Sequence, residues 1–244
     1  MKTCRTFGVE IEMNGMLVSH QSKPDVVATH YSQNAYRPDY REVKLQPGWK
    51  VHEDGSCGME FVSPPLCDTL PILRQIMAIR GSGFKARFRD SGLHVHVGAH
   101  DLDRHNLLDL AKFCRHFERA IYSFVHPRRL KGEYCRPLQL SNSALSLRYS
   151  PLHRFDRGHR YVGCNVTSYD RHGTVEYRYS ESTIDYEKIC ALVDLFVKIT
   201  EWVATNKGKT KVKSPRKTKD KRRFLLRLVG VEQETFVKLI NTRY

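Results

Sequence analysis

The sequence predicts an α+β fold built on a mainly antiparallel, curved sheet, with helices packed on its outer face. Three observations carry that prediction. Phe7–Glu12, Ser91–Gly98 and Gly173–Tyr179 each alternate apolar and polar residues, the period of a strand with one buried face. Residues 103–125 and 185–204 instead place apolar residues at helical spacing. Strands and helices do not alternate strictly, and turn signals link strands into hairpins, which argues against a doubly wound parallel sheet.

Along the chain, Phe7, Val9 and Ile11 alternate with Gly8, Glu10 and Glu12 in the first strand. Residues 14–48 are polar and carry Pro24, Pro38 and Pro47, so an inserted loop or hairpin is expected there. Trp49–Ser56 carries a turn signal at Asp54-Gly55, and Met59–Val62 reads as a short strand stopped by Pro64-Pro65. Leu70, Leu73, Ile76, Met77 and Ile79 predict a helix over 68–80, ended by Gly81 and Gly83. Phe84–Arg89 reads as a strand. Asp103 is placed to cap the next helix, whose stripe is Leu107, Leu110, Ala111, Cys114, Phe117, Ile121 and Phe124. Pro127 is expected to stop it, and 128–159 reads as a basic loop. Tyr161–Thr167 reads as a strand that turns through Tyr169–Gly173 into the strand carrying Glu176 and Arg178. Asp185 caps a helix to about Ala204. This gives a catalytic domain over 1–205, a basic linker over 206–222 and a helical segment over 223–244.

Composition bounds the function. The 40% apolar content supports a core, and the chain of 244 residues is long enough for one large domain. It has no apolar run of transmembrane length. The first residues lack the apolar stretch of a signal peptide, and seven scattered cysteines without a Cys-x-x-Cys motif read as reduced thiols. The expected location is the cytoplasm. The net charge of +15 is local: Lys207–Arg223 holds ten Lys or Arg and one acid, Asp220.

The three alternating strands also carry the chemistry. Glu10 and Glu12 share one strand face, roughly 6.5–7 Å apart, and like charges that close favour a bound cation. His94 and His96 repeat the pattern, as do Glu176 and Arg178, and Glu60 lies on the strand leaving the Asp-Gly turn. Carboxylate-rich sites of this kind suit Mg²⁺ or Mn²⁺. Arg178 and Arg160 add planar guanidinium groups suited to phosphates or carboxylates. Metal-binding acids beside anion-binding arginines describe a nucleoside triphosphate site, and no P-loop motif is present.

Four motifs stand in order: Phe7-Gly-Val-Glu-Ile-Glu12; Asp54-Gly-Ser56 leading to Glu60-Phe-Val-Ser-Pro-Pro65; Gly92-Leu-His-Val-His-Val-Gly98; and Thr174-Val-Glu-Tyr-Arg178. In this the chain resembles the amidoligase family of the glutamine synthetase-like carboxylate–amine ligases, over roughly residues 5–200. The resemblance implies a glutamine synthetase-like catalytic fold and ATP-dependent amide-bond formation through an acyl phosphate. It implies Glu10, Glu12, Glu60, His94 and Glu176 as metal ligands, with His94 at a metal or the acyl phosphate. His96, Arg178 and Arg160 would face ATP and the phosphoryl group in flight, and Asp54 would orient the amine. Asn165 reads as structural, with substrate holding as the alternative. The remaining histidines, His52 and His100 among them, read as solvent or loop residues. The carboxylate and amine could come from an amino acid, peptide, protein or modified base.

Other readings of the residues stay open. The acids, histidines and basic segment also fit a metal-dependent nuclease or phosphoesterase. A catalytically inactive nucleic-acid or protein binder on the same fold is a third. Lys207–Arg223 could be a solvated linker, or could hold nucleic acid or an acidic protein; it lacks the interleaved aromatics of a base-stacking surface.

Overall fold

The structure, a computed structural model, describes residues 5–18, 27–30, 39–84, 91–138 and 159–241. Its strands are β1 (Phe7–Met13), β2 (Met16–Val18), β3 (Val27–His30), β4 (Asp39–Glu42), β5 (Lys50–Asp54), β6 (Gly58–Val62), β7 (Gly92–Gly98), β8 (Cys164–Asn165) and β9 (Thr174–Glu181). The helices are α1 (Leu70–Gly81), α2 (Arg104–Tyr122), α3 (Tyr169–His172), α4 (Tyr186–Thr205), α5 (Thr218–Val229) and α6 (Gln233–Asn241). Six strands form an antiparallel sheet in the order β5-β6-β1-β7-β9-β8, and β2-β3-β4 form a second, smaller one. The predicted α+β class is the observed one. No helix among the described residues is long and apolar enough to cross a membrane.

The chain divides into two compact units. One comprises Gly8–Leu93 and Glu181–Ile189. Here Val9, Ile11 and Met13 of β1 are buried, and so are Met59 and Phe61 of β6, which fulfils the alternation read from the sequence. The Asp54 turn joins β5 to β6 as a hairpin, pairing Asp54 with Gly58. Gly58 has φ +107, and a Cβ there would lie 2.2 Å from the Gly15 carbonyl oxygen. Ser63 ties the end of β6 back to β1, its hydroxyl accepting from the Val9 amide at 2.9 Å. Helix α1 buries Ile72, Gln75, Ile76 and Ile79, whereas Leu70 and Met77 are 47% and 62% exposed. The stripe read from the sequence was therefore rotated. Gln75 belongs inside because its amide is satisfied by the Gln46 N–H (2.8 Å) and the Lys44 carbonyl (3.4 Å).

The other unit comprises Met1–Phe7, His94–Ser180 and Cys190–Tyr244. Tyr177 and Tyr179 of β9 are fully buried. Tyr177 stacks on Phe196 of α4 at 4.4 Å and shares a 2.7 Å hydrogen bond with Thr200, while Tyr179 meets Tyr122 of α2 edge-on. One face of β9 thus packs on helices, leaving Glu176 and Arg178 to the other. Asp103 caps α2, accepting from the Asn106 amide at 2.8 Å.

Several elements differ from the sequence reading. Residues 14–48 hold the strands β2–β4 rather than a single loop or hairpin; residues 19–26 and 31–38 lie outside the described residues. So do 85–90, which include most of the expected Phe84–Arg89 strand, and 139–158 of the basic loop. Helix α2 ends at Tyr122, and Pro127 opens a 3₁₀ turn, Pro127–Lys131, instead of ending the helix. The expected strand over Tyr161–Thr167 is only β8, because the Asn165 side chain accepts from the Thr167 amide at 3.0 Å and bends the chain into a 3₁₀ turn. The turn that follows is α3, closed by Gly173 at φ +64. At the carboxy-terminal end, α5 begins at Thr218, ahead of the expected residue 223.

Two predictions arise here. Gly163 donates to the Arg136 carbonyl and accepts from the Arg178 amide, and a Cβ on it would lie 2.1 Å from the Tyr179 ring. Gly163→Ala is expected to cost about 1–3 kcal/mol, measured by denaturant unfolding. Glu118 is 8% exposed on α2 and accepts from the Leu138 amide at 2.7 Å. Burial pushes its carboxyl up to about 7, the Leu138 bond pulling the other way. Its folded pKa is raised, so the folded chain holds the proton that the unfolded chain releases. Stability should fall as pH rises from about 4.5 to about 7. Glu118→Gln is expected to remove that part of the slope and to be the more stable protein at pH 8, on the order of 2 kcal/mol. Thermal midpoints across the pH range check this.

Candidate active site

Period-2 geometry puts Thr174, Glu176 and Arg178 on one face of β9. Glu176 is the centre of this face. Its Oε1 pairs with Arg178 Nη1 and lies 3.5 Å from His94 Nδ1 and 3.9 Å from His96 Nε2. Its Oε2 accepts from Asn165 Nδ2 at 2.7 Å. The β8–β9 register sets that last contact, with Asn165 directly opposite Glu176. His94, Glu176 and Arg178 are all buried.

Arg178 is held from several sides. Its Nε donates to the Tyr134 carbonyl at 3.1 Å, its Nη1 lies 3.4 Å from His94 Nδ1, and its guanidinium carbon sits 6.0 Å from the Tyr161 ring centroid. Arg129 braces the strand, donating to the carbonyl oxygens of Arg178 (2.9 Å) and Tyr179 (3.4 Å). His96 Nδ1 meets the hydroxyls of Thr174 at 3.1 Å and Ser168 at 3.4 Å. Arg160 is exposed, with its guanidinium 4.9 Å from the Tyr161 ring centroid.

The other unit carries acids of its own. Glu10 and Glu12 lie on one face of β1, half-buried and buried. Glu12 stands directly across the ladder from Glu60, and Glu60 across from His52 on β5. The Gly92 amide donates to Glu12 Oε2. The Asp54 carboxylate accepts from Ser56 N (2.7 Å), Ser56 Oγ and Cys57 N (3.2 Å), all at Oδ1. Partial burial pushes Asp54 up, but these hydrogen bonds outweigh it and hold the group below the usual aspartate value. Burial, with Glu12, Asp54 and Glu60 nearby, keeps the Cys57 thiol protonated.

Within the β9 unit the structure gathers His94, His96, Glu176 and Arg178, all expected from the sequence, while exposed Arg160 lies over the Tyr161 ring that Arg178 also approaches. Four contributors were not anticipated: Thr174 and Ser168 on His96, Arg129 behind β9, and the Tyr134 carbonyl. Thr174 was legible, since it lies two residues before Glu176 in the same alternation. The others depend on chain reversals that no local pattern encodes. His52, read as a solvent residue, is exposed but stands opposite Glu60.

The family described as "Putative amidoligase enzyme" matches residues 3–142 of the chain, more than half its length. The chain belongs to the amidoligase family. The name of the family is that of an amide-bond-forming ligase. Its match takes in Glu10, Glu12, Asp54, Glu60, His94 and His96, and ends before Arg160, Glu176 and Arg178. Comparison with the curated proteins found no match.

Proposed function

We propose that this amidoligase-family protein is an ATP- and Mg²⁺- (or Mn²⁺-) dependent carboxylate–amine ligase working through an acyl phosphate. The observation that carries the reading is Glu176, a buried carboxylate faced by an arginine, two histidines and an asparagine on a strand whose opposite face is packed on helices. A carboxylate oxygen of the first substrate attacks the γ-phosphorus of ATP, and ADP leaves with the bridging oxygen. The nitrogen of the amine then attacks the acyl carbon, loses a proton to a base, and inorganic phosphate leaves.

In this reading Glu10, Glu12, Glu60, His94 and Glu176 would hold the metal. Within the β9 unit it is supported by Glu176 Oε1 and His94 Nδ1, which lie 3.5 Å apart. A carboxylate and an imidazole fit a hard or borderline divalent cation. Such an ion, when bound, neutralises phosphate charge. Arg178, fixed by its backbone and carboxylate contacts, would stabilise the transferring phosphoryl group, because a preorganised donor needs no reorganisation in the transition state. Arg160 and His96 would meet the ATP phosphates. Asp54 would orient the amine through Oδ2, since the turn occupies Oδ1. The acceptor classes are amino acids, peptides, protein side chains and modified bases. A cytoplasmic location accords with ATP dependence and with the free cysteines among the described residues.

The test is nucleotide turnover with ATP, Mg²⁺ and pooled carboxylates and amines, following ADP, AMP and new amide masses. Expected is ADP release that requires the pool and is lost in Glu12→Gln and Glu176→Gln. AMP release would move the chemistry to an adenylate. Mg²⁺-dependent nicking of nucleic acid without ATP would overturn the ligase reading in favour of a nuclease.

A further inference from the structure

The segment after α4 is not a floating tether. Lys207, Lys209, Lys211 and Lys213 are exposed, while Thr210, Val212 and Ser214 between and after them are half-buried. That period-2 pattern means the strap lies along the protein with the side chains of Lys209, Lys211 and Lys213 turned outward. It is fastened at both ends. Lys207 Nζ donates to the Asp101 carbonyl at 3.1 Å, and Ser214 Oγ meets His116 Nε2 at 2.8 Å.

The strap continues into α5, which packs on α2 through Phe224 stacked on Phe117, and through Lys221 Nζ donating to the His116 carbonyl at 3.2 Å. The solvent side of α2 adds exposed Arg115 and Arg119, and α5 adds exposed Lys219 and Arg223. Three neighbouring pieces of one unit therefore present cations in a fixed arrangement. Their field is felt nearby: burial first, and then Lys221, lower the pKa of His116, and burial and Arg223 lower that of Arg222. The aromatics of this region are engaged internally, Phe224 on Phe117 and Phe236 beside Arg227. Among the described residues of this surface, none offers a stacking platform for unpaired bases.

We infer that the Lys207–Lys213 strap, with the exposed faces of α2 and α5, is a docking surface for the phosphodiester backbone of duplex nucleic acid, read without base contacts. Regularly spaced phosphates suit a rigid row of lysines, and such contacts position a duplex without selecting sequence. The surface would serve to hold a substrate-bearing or tethering polyanion near the protein. It does not depend on the ligase reading, because none of its residues belongs to the β9 cluster.

Fluorescence anisotropy on the full chain tests this, with labelled DNA and RNA duplexes, a single strand of equal length, and polyglutamate of equal charge. Expected is duplex binding, independent of sequence, that weakens about a thousandfold between about 50 and 200 mM salt. The triple variant Lys209→Gln, Lys211→Gln, Lys213→Gln should lower the log–log salt slope by about 2–3. Arg119→Gln with Arg223→Gln should lower it by about 2 more. These side chains are exposed, and an unchanged thermal midpoint verifies folding. Preference for DNA or RNA names the source of the backbone. Absent binding at low salt, an unchanged slope in both variants, or equal or tighter capture of polyglutamate would overturn the inference, the last by making an acidic protein the partner. ADP release by these variants should match the parent protein whether or not the surface binds.

Discussion

Glu176→Gln is expected to lower ADP release by about 10²–10³-fold or more while leaving the chain folded. The side chain keeps its shape and one accepting oxygen but loses its charge. Arg178 then faces a neutral amide, and the amide cannot accept from both Arg178 and Asn165, which now occupy Oε1 and Oε2. Its NH₂ group must turn toward one of those donors. The charge that would bind a cation falls by one. A metal titration reads the difference between a ligand and a packing residue. As a ligand, Glu176→Gln should need a much higher Mg²⁺ or Mn²⁺ concentration for half-maximal activity, and the deficit should shrink as metal rises. If half-saturation by metal stays put and only the thermal midpoint falls, Glu176 is structural and the metal role is wrong.

That glutamate was legible because β9 must be apolar on one side only. Tyr177 and Tyr179 pack on α4 and α2, so period 2 fixes where Glu176 and Arg178 point. The same logic made β1 readable, and the 3.6-residue stripe made α2 readable. Pattern failed where a side chain is satisfied by a distant backbone group. Gln75 counts as polar in any stripe, yet Gln46 and Lys44 make it a core residue, and α1 turns accordingly. It failed where a side chain competes with the ladder, as Asn165 does in ending β8 after two residues. It failed again at α5, whose basic residues read as linker. Their stems are used for packing: the Lys221 ammonium is 5.9 Å from the Phe117 ring centroid and the Arg222 guanidinium carbon 5.0 Å from that of Phe124. In the β9 cluster, side chains repeated at period 2 were readable and their braces were not. Arg129 and the Tyr134 carbonyl meet Arg178 across 49 and 44 residues of chain.

Arg178 gives the second large effect, on stability. It and Glu176 are 8% and 6% exposed, so removing the cation strands a carboxylate away from water. Arg178→Met is expected to destabilise the protein by about 3–5 kcal/mol in denaturant unfolding. It removes the donors to His94 and to the Tyr134 carbonyl at the same time. The double variant Glu176→Gln, Arg178→Met should recover more than half of that loss, because no charge is then left buried without its partner. Arg178→Lys separates charge from geometry. An ammonium keeps the ion pair, but a single nitrogen cannot hold Glu176, the Tyr134 carbonyl and an incoming phosphate together. It should therefore stay within about 1–2 kcal/mol of the parent in stability and still lose about 10²-fold or more in kcat. If Arg178→Met costs less than about 1 kcal/mol, the pair contributes little, because water reaches the strand face and screens Glu176. If Arg178→Lys turns over ATP as fast as the parent, positive charge alone suffices, and the fixed guanidinium has no part in phosphoryl transfer.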